Sequence, residues 1–226
     1  MRLEEAQWIG DAIARRVLPD SEAPPYVALN LGSGTRKSRE VSKPFIDELT
    51  LAPLRAGGYR VVHSDLLEGD GIDMSGDLFD PEFQHQLQAL QPKVIMFCNI
   101  LEHLPTRLRT QVPQVLYRIL APGGHLFITV PRSYPYHADP IDTMYRPSPQ
   151  EVAALFPALQ VVDARVVDSD SYLDEFRRGS LWRRIRKVLR LLFPFVRSKR
   201  WLSHAHRFFW LGRPYQLSCV LMRKLR

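Results

Sequence analysis

Strand-like runs alternate with amphipathic segments along most of the chain. The runs that predict strands are residues 26–31, 59–63, 71–76, 94–98, 125–130, 159–167 and 217–222. Apolar residues at helical spacing predict helices over residues 3–17, 45–54, 81–90, 106–120 and 149–155. Strands that alternate with helices pair in parallel through right-handed crossovers. The pattern therefore predicts an α/β fold, doubly wound around a mostly parallel sheet of seven strands.

Glycine and proline residues mark the ends of these elements. The first strand enters a tight turn at Gly32-Ser33-Gly34, and the helix over residues 106–120 stops at Pro122-Gly123-Gly124. Pro113 lies inside that helix. It is expected to kink the helix, because proline lacks the N–H that an interior helical position donates.

The predicted elements divide the chain into a core and three smaller segments. Residues 26–167 form the core, residues 1–25 an N-terminal helix and linker, and residues 217–226 the final strand. Residues 168–216 form an insertion before that strand. Residues 170–226 carry 15 Lys and Arg against three Asp and Glu, although the net charge of the whole chain is only +7. This asymmetry indicates a site in the core and an anionic partner for the insertion.

Residues 181–193 have the pattern of a basic amphipathic helix. One face of the helical wheel carries Leu181, Trp182, Ile185, Val188, Leu189, Leu192 and Phe193, and the other carries Arg183, Arg184, Arg186, Lys187 and Arg190. Such a helix is typical of a segment that lies in an anionic membrane interface, so residues 176–213 are predicted to bind that surface. Two alternatives stay open: a lid packed on the core with solvated bases, and a nucleic-acid-binding arm.

Composition limits the class of protein. With 226 residues, of which 45% are hydrophobic and 24% charged, the chain is expected to bury a full core. Cys98 and Cys219 lie in apolar runs and are predicted to be free thiols, which excludes a disulfide framework and a four-cysteine zinc site. No signal peptide and no run of about 18 apolar residues is found. The expected location is the cytoplasm, including the periphery of the inner membrane face.

Candidate binding residues follow the ends of the first two predicted strands. Glycines in Gly32-Ser33-Gly34 allow the backbone to approach a ligand closely. Lys37 stands in the place of the third glycine of the dinucleotide fingerprint, which disfavours a nicotinamide dehydrogenase, and the spacing excludes a P-loop. Asp65 ends the second strand, where a carboxylate can accept both hydroxyls of a ribose; the alternative role is a loop cap.

Two further groups follow later strands. After the short third strand, Asp77 can accept from an exocyclic amine while Leu78 covers a purine ring, unless they form only an ordinary turn. Asn99 follows the fourth strand and begins the stretch Asn-Ile-Leu-Glu-His-Leu. Within this stretch the adjacent Glu102 and His103 are expected to diverge on a helix, because only residues three or four apart share a helical face.

Five landmarks in this order resemble the class I S-adenosylmethionine-dependent methyltransferases. They are residues 29–34, Asp65, residues 76–78, residues 100–103 and residues 120–124. The resemblance covers residues 26–167 and implies the Rossmann-like methyltransferase fold, S-adenosylmethionine as the cofactor and methyl transfer as the reaction.

The resemblance also implies roles for single residues. Gly32, Ser33 and Gly34 would cradle the methionine carboxylate and the sulfonium, and Asp65 would hold the ribose, with Asp70 as the alternative. Asp77 and Leu78 would hold adenine, Asn99 would line the methionine arm, and His103 would belong to the cofactor's surroundings or to the structure. Asn30 is included among the cofactor-binding residues, although an acid is commoner at that position of the family and a charge-based contact is weakened.

The residues after the fifth strand supply the candidate catalytic base. A sulfonium is an activated methyl donor, so most of the catalysis can be alignment, and a hydroxyl acceptor also needs a base. His137 is the candidate base, and its alternative role is to order the loop over residues 131–140. Asp139 and Asp142 are expected to orient His137 or to brace Arg146, and no metal site is predicted.

The expected acceptor is an oxygen or nitrogen of a small, glycan or lipid-linked molecule. Two other functions stay open, a non-catalytic S-adenosylmethionine-binding module and an RNA methyltransferase. A nucleic-acid partner is disfavoured, because the chain has no Asn-Pro-Pro-aromatic tetrapeptide of the kind that amino-methylating nucleic-acid enzymes carry. The sequence leaves the oligomeric state open.

Overall fold

A computed structural model describes residues 1–18, 25–136, 141–191, 201, 205 and 210–226. Its seven strands form one sheet in the order β3-β2-β1-β4-β5-β7-β6. They are β1 (Tyr26–Leu31), β2 (Tyr59–Asp65), β3 (Met74–Ser75), β4 (Val94–Cys98), β5 (His125–Ser133), β6 (Gln160–Ser171) and β7 (Pro214–Arg223). Strands β1 to β5 are parallel, and β7 runs antiparallel to both β5 and β6. The predicted doubly wound, mostly parallel sheet is confirmed.

Helices and turns connect these strands. The α-helices are α1 (Leu3–Ala12), α2 (Ala52–Ala56), α3 (Pro81–Ala89), α4 (Thr106–Arg109), α5 (Val112–Ile119), α6 (Pro149–Ala154), α7 (Tyr172–Arg178) and α8 (Leu181–Leu191). Three π-helical stretches cover Ile13–Val17, Lys37–Ser42 and Asp47–Leu51. The single helix predicted over residues 106–120 is wrong, since Pro113 lies in the first turn of α5. A proline is accepted there because first-turn amides have no partner within the helix.

The sheet is covered on both faces, which explains its continuous apolar runs. In β4 the side chains alternate, so that Ile95 belongs to one buried cluster and Met96 to the other. The first cluster joins the sheet to α3, α5 and α6, and the second joins it to α1 and the segment ending in α2. Burial raises the pKa of the free thiol of Cys98 to about 12 and holds that of Cys219 well above its usual value, so both thiols remain protonated.

The N-terminal helix α1 is part of this core. Ile9 is fully buried, and Trp8 packs edge-on against Phe127 of β5, with ring centroids 6.0 Å apart. The indole N–H of Trp8 also donates to Asp163 of β6 at 3.1 Å. These contacts fix α1 beside the ends of the central strands and bring its first turn to the functional edge of the sheet.

The basic insertion begins later than the sequence pattern predicts. β6 continues to Ser171, past the expected core boundary at residue 167, because its pairing with β7 extends to Pro214. Ser171 then caps α7 through a reciprocal pair of hydrogen bonds with Asp174. Helix α8 follows, and five of its apolar side chains are exposed, those of Leu181, Trp182, Ile185, Val188 and Leu189. None of the described helices is long and apolar enough to cross a membrane.

Candidate functional site

The sheet order reverses between β1 and β4, which opens a crevice at the carboxyl ends of these strands. The loop after β1 turns sharply there, with φ of +61° at Gly32 and +62° at Gly34. A side chain at Gly32 would be strained in this backbone, and its Cβ would lie 2.8 Å from Cδ1 of Ile100. The backbone of residues 32–34 therefore forms an open cradle, and a side chain at either glycine position would strain it or take up its space.

Asp65 at the end of β2 holds this cradle in place. Its Oδ2 accepts the Gly34 N–H at 2.8 Å, and its Oδ1 accepts the Leu66 N–H at 2.8 Å. The Ser33 N–H donates to the Ser64 carbonyl at 3.1 Å. The structure thus brings the predicted glycine loop and Asp65 together. A carboxylate has about four lone-pair positions, so two acceptor positions of Asp65 remain for a ligand.

Arg39 is a second anchor, which the sequence analysis missed. Its guanidinium is almost fully buried and donates to the carbonyl of Gly34 and, at 2.8 Å, to that of Gly71. It also lies 3.4 Å from the carbonyl and hydroxyl of Ser33. Burial lowers the pKa of Arg39 below its usual value. Arg39 ties the cradle to the loop before β3, a contact across 32 positions for which the local pattern gives no signal.

The neighbouring predicted residues have different surroundings. Asp70, the alternative to Asp65, is exposed and faces Arg36 at 3.9 Å. Asp77 forms an exposed turn after β3 and accepts the Phe79 N–H at 2.9 Å, while Leu78 is half-buried against the core. The turn joins the site through Gly76, whose N–H donates to the carbonyl of Asp65 at 3.0 Å.

Asn30 is turned towards β2 within the sheet. Its Nδ2 lies 3.3 Å from Nδ1 of His63, and its side chain is nearly buried. Burial and the nearby Arg39 lower the pKa of His63 to about 4, so this imidazole is neutral at physiological pH. The contact between Asn30 and His63 is a strand-to-strand contact, and a direct cofactor contact of Asn30 stays a prediction.

A cavity of about 710 Å³ opens beside the carboxyl ends of β4 and β5. Helix α1, the loop after β4, and the ends of β5 and β6 contribute to its wall. Asn99, with a φ of +55°, donates from Nδ2 to Glu5 of α1 at 2.8 Å and lies 3.4 Å from the Thr129 hydroxyl. Nδ1 of His103 lies 2.6 Å from the carbonyl of Ile141. Of the predicted site residues within the described ranges, Asn99 and His103 line this cavity.

Glu102 lines the same cavity and is the second residue that the sequence analysis missed. Its side chain is 1% exposed, and burial, with Glu5 nearby, raises its pKa to about 8. Oε1 lies 3.8 Å from Nε2 of His103, and Oε2 has no hydrogen-bond partner. The expectation that Glu102 and His103 diverge is wrong, because residues 101–103 form a tight 3-10 turn that turns both towards the cavity.

The loop after β5 covers Glu102. Thr143 donates from its N–H and its hydroxyl to the Glu102 carbonyl, each at 2.9 Å. Asp142 forms a buried ion pair with Arg146 at 2.6 Å, one of the two roles considered for it. His137 and Asp139 lie outside the described residues. Within the described ranges, no cluster of three or more His, Cys, Asp or Glu side chains is suited to a metal ion.

Comparison with known proteins identifies the fold. No family model matches the sequence, and no curated protein is significantly similar to it. Solved structures do match. A candidate sarcosine dimethylglycine methyltransferase from Galdieria sulphuraria is 15% identical, with a TM-score of 0.59 over 97% of this chain and 84% of that one. Coclaurine N-methyltransferase, bound to N-methylheliamine and S-adenosylhomocysteine, is 15% identical, with a TM-score of 0.56 over 97% and 72%.

The chain has the Rossmann-like methyltransferase fold. The same fold is found in the [4+2]-cyclase SpnF, which is 11% identical, with a TM-score of 0.52 over 97% of this chain and 80% of that one. A fold that accommodates both a methyltransferase and a cyclase does not determine the reaction. The reaction of this chain is therefore inferred from the residues at the site.

Proposed function

We propose that this chain binds S-adenosylmethionine and transfers its methyl group to a small-molecule acceptor. The observation that carries the proposal is the glycine cradle held by Asp65 in a methyltransferase fold. Gly32 approaches Ile100, which belongs to the loop after β4 that lines the 710 Å³ cavity with Asn99 and Glu102. The cradle fits the cofactor, because its two left-handed glycines leave room for a ligand to touch the backbone. Coclaurine N-methyltransferase, with the same fold, is crystallised with the demethylated form of this cofactor.

Each part of the cofactor has a proposed partner. The free acceptor positions of Asp65 would take the ribose hydroxyls, and the backbone of residues 32–34 the methionine carboxylate. Asp77 and Leu78 would flank adenine, and Asn99 the methionine arm. When bound, the cofactor supplies a methyl group that its sulfonium already activates. The protein then has to hold the acceptor in line with that methyl group and to keep water out of the cavity.

The acceptor is proposed to be a small molecule methylated on nitrogen or oxygen. The cavity has the volume of a small-molecule site, and coclaurine N-methyltransferase is by its name a small-molecule enzyme. A glycan or lipid-linked acceptor is a variant of this proposal, and His137 remains the predicted base for a hydroxyl acceptor. A non-catalytic binding module and an RNA methyltransferase are the alternatives that acceptor screening would test.

We also propose that α8 docks the protein on an anionic membrane surface. Its apolar side chains Leu181 and Trp182 are 69% and 80% exposed, and Val188 is 45% exposed. This exposure favours the membrane over a lid packed on the core, since a packed lid buries its apolar face. Arg183 and Arg186 are also exposed and supply the attraction to anionic lipid.

Calorimetric titration with S-adenosylmethionine tests the proposal. The wild type is expected to bind with a dissociation constant of about 1–100 μM, in the usual range of enzyme ligands. Asp65→Ala is expected to weaken binding at least about 30-fold, because it loses both the ribose acceptor and the Gly34 anchor. Asp70→Ala is the matched control, and its affinity should change less than about twofold, as for an exposed side chain.

Two results would contradict the proposal. One is no binding of either S-adenosylmethionine or S-adenosylhomocysteine at millimolar concentration by folded wild-type protein. The other is normal binding by Asp65→Ala together with weakened binding by Asp70→Ala, which would assign the ribose contact to the other carboxylate.

A further inference from the structure

Among the described residues, four carboxylates line the cavity, and in three of them other side chains or backbone groups donate to the carboxylate. Glu5 accepts from the Thr129 hydroxyl at 2.5 Å, from Asn99 at 2.8 Å and from the Arg2 N–H at 2.9 Å. Glu4 accepts from the Ser169 hydroxyl at 2.6 Å, and Asp170 pairs with Arg178 at 2.6 Å. Each of these three groups therefore already has a donor from another residue before any ligand enters.

Glu102 differs from the other three. Its Oε2 is buried and has no hydrogen-bond partner, and the charged groups that face the carboxyl are Glu5 and the Met1 amino group beside α1, His103, and Arg146 from the covering loop. Arg146 is already bound to Asp142. A buried carboxyl oxygen without a hydrogen-bond partner costs free energy that a donor on a ligand would recover. A ligand of this cavity is therefore expected to bring an N–H or O–H donor to Glu102.

The cations of the cavity favour a donor that carries positive charge. Arg178 is bound by Asp170, and the Arg2 guanidinium stacks over the Tyr215 ring at 4.3 Å and donates to the Tyr134 hydroxyl at 3.0 Å. Lys43, which also lines the cavity, donates to the Met1 carbonyl at 3.3 Å. An anionic acceptor at Arg2 or Arg178 would have to displace these contacts. An ammonium group would instead meet the unpartnered oxygen of Glu102, which is the more favourable arrangement.

We propose that Glu102 is the acceptor-binding group of the cavity and that the acceptor is a primary or secondary amine. This inference rests on the proposed methyltransferase function and names the acceptor class. The Glu102 carboxylate holds the amine by a hydrogen bond from its N–H to Oε2. A hydroxyl compound of the same shape binds less well, because it brings a donor without the positive charge.

Glu102 serves as the proton acceptor in the proposed methyl transfer. The Glu102 carboxylate first takes a proton from the bound ammonium and becomes a neutral carboxylic acid. The lone pair of the resulting neutral amine forms the new N–C bond, the C–S bond of the cofactor breaks, and its electron pair stays on sulfur, which gives the thioether. The product leaves as a methylated ammonium. Burial raises the pKa of this carboxyl to about 8, which makes Glu102 a stronger base than an ordinary glutamate.

The test compares amines with alcohols of the same shape. The probes are ethanolamine, 2-phenylethylamine and N-methyl-2-phenylethylamine, with ethylene glycol and 2-phenylethanol as hydroxyl counterparts. Production of S-adenosylhomocysteine is measured with S-adenosylmethionine at saturation, and binding of each probe to the S-adenosylhomocysteine complex is measured by calorimetry. The variants are Glu102→Gln, Glu102→Asp and the remote, exposed control Glu82→Gln.

At least one amine is expected to be methylated, and no alcohol at a comparable rate. Glu102→Gln should lower kcat/KM for that amine about 100-fold, the usual size of a general-base effect, and should weaken amine binding in the calorimeter. Glu102→Asp keeps the charge and should retain more activity than Glu102→Gln. Glu82→Gln should match the wild type, and all variants should bind S-adenosylmethionine normally.

Several results would overturn the inference. They are methylation of an alcohol without any amine, no methylation of the three amines by protein that binds the cofactor, and unchanged amine kinetics in Glu102→Gln. Loss of cofactor binding in the wild type itself would be a different result, because it would contradict the proposed function rather than the acceptor class.

Discussion

The two loops that meet at the functional edge of the sheet are built on different principles. In the loop after β1, glycine backbone and a few polar side chains satisfy one another, and Asp65 and Arg39 hold its shape. In the loop after β4, Glu102 is buried with one oxygen unpartnered. The first loop is held in shape by Asp65 and Arg39 and offers a rigid backbone surface, although Nε of Arg39 is itself buried without a hydrogen-bond partner. In the second loop the unpartnered atom is a carboxylate oxygen of a residue that lines the cavity, so its chemistry depends on what enters the cavity.

The largest effect on cofactor binding is expected from a substitution at Gly32. Gly32→Ala places a Cβ 2.8 Å from Ile100 in a left-handed backbone, which costs about 1–2 kcal/mol in strain alone. We expect at least about 100-fold weaker S-adenosylmethionine binding, or about 2.7 kcal/mol, measured by calorimetry. Gly212→Ala is the control, since a Cβ there meets nothing within 4 Å and the backbone has no positive φ. Equal affinities of the two variants would refute a backbone cradle.

Removal of the Arg39 side chain tests whether its buried guanidinium stabilises the first loop. Arg39→Ala leaves the carbonyls of Gly34 and Gly71 without their buried donor. We expect a loss of about 2–4 kcal/mol in the free energy of unfolding, measured in urea, together with weaker cofactor binding. Arg36→Ala, at an exposed neighbouring position, should lose less than about 0.5 kcal/mol. A similar loss in both variants would mean that Arg39 has no special role.

The second loop should show its unpaired carboxyl in the pH dependence of stability. The folded pKa of Glu102, about 8, lies above its ordinary value of 4.5, so the unfolded chain releases this proton at lower pH than the folded chain. The wild type should therefore lose stability relative to Glu102→Gln as the pH rises from about 5 to about 8, and not below that range. We expect a difference of about 3 kcal/mol between urea titrations at the two ends of that range. Parallel pH profiles of the two proteins would argue against a buried neutral carboxyl.

The smallest expected effect concerns α8, outside both loops. Arg186→Gln removes one exposed base and should weaken partitioning onto phosphatidylserine vesicles about fivefold, or about 1 kcal/mol, at low ionic strength. Arg15→Gln, at an exposed position of the π-helical stretch that follows α1, is the matched control and should partition like the wild type. Absence of partitioning by the wild type, at low and physiological salt, would remove the membrane proposal.

The glycine loop and Asp65 could be predicted because their residue types and their positions after strands indicate their local structure. A glycine pair after a buried strand marks a tight turn wherever it occurs, and an acid at the end of the next parallel strand must lie beside it. Gly34 and Asp65 are in fact joined by a 2.8 Å hydrogen bond. Arg39 carries no such local signal, and the landmark over residues 100–103 does not mark Glu102 as a buried carboxyl with an unpartnered oxygen. Arg39 acts through a contact with Gly71, and Glu102 through its burial, which depends on α1 and on the loop with Thr143.

The sequence by itself determined the order of strands and helices and the glycine loop, because these follow from periodicity and from the limits of backbone conformation. Only the tertiary structure decided that α1 closes the cavity, that β6 and β7 extend beyond the predicted core, and that Glu102 lacks a partner. Burial and hydrogen bonding are properties of groups far apart in the chain. The charge state of a carboxyl is set by all the elements around it, and no local pattern contains them.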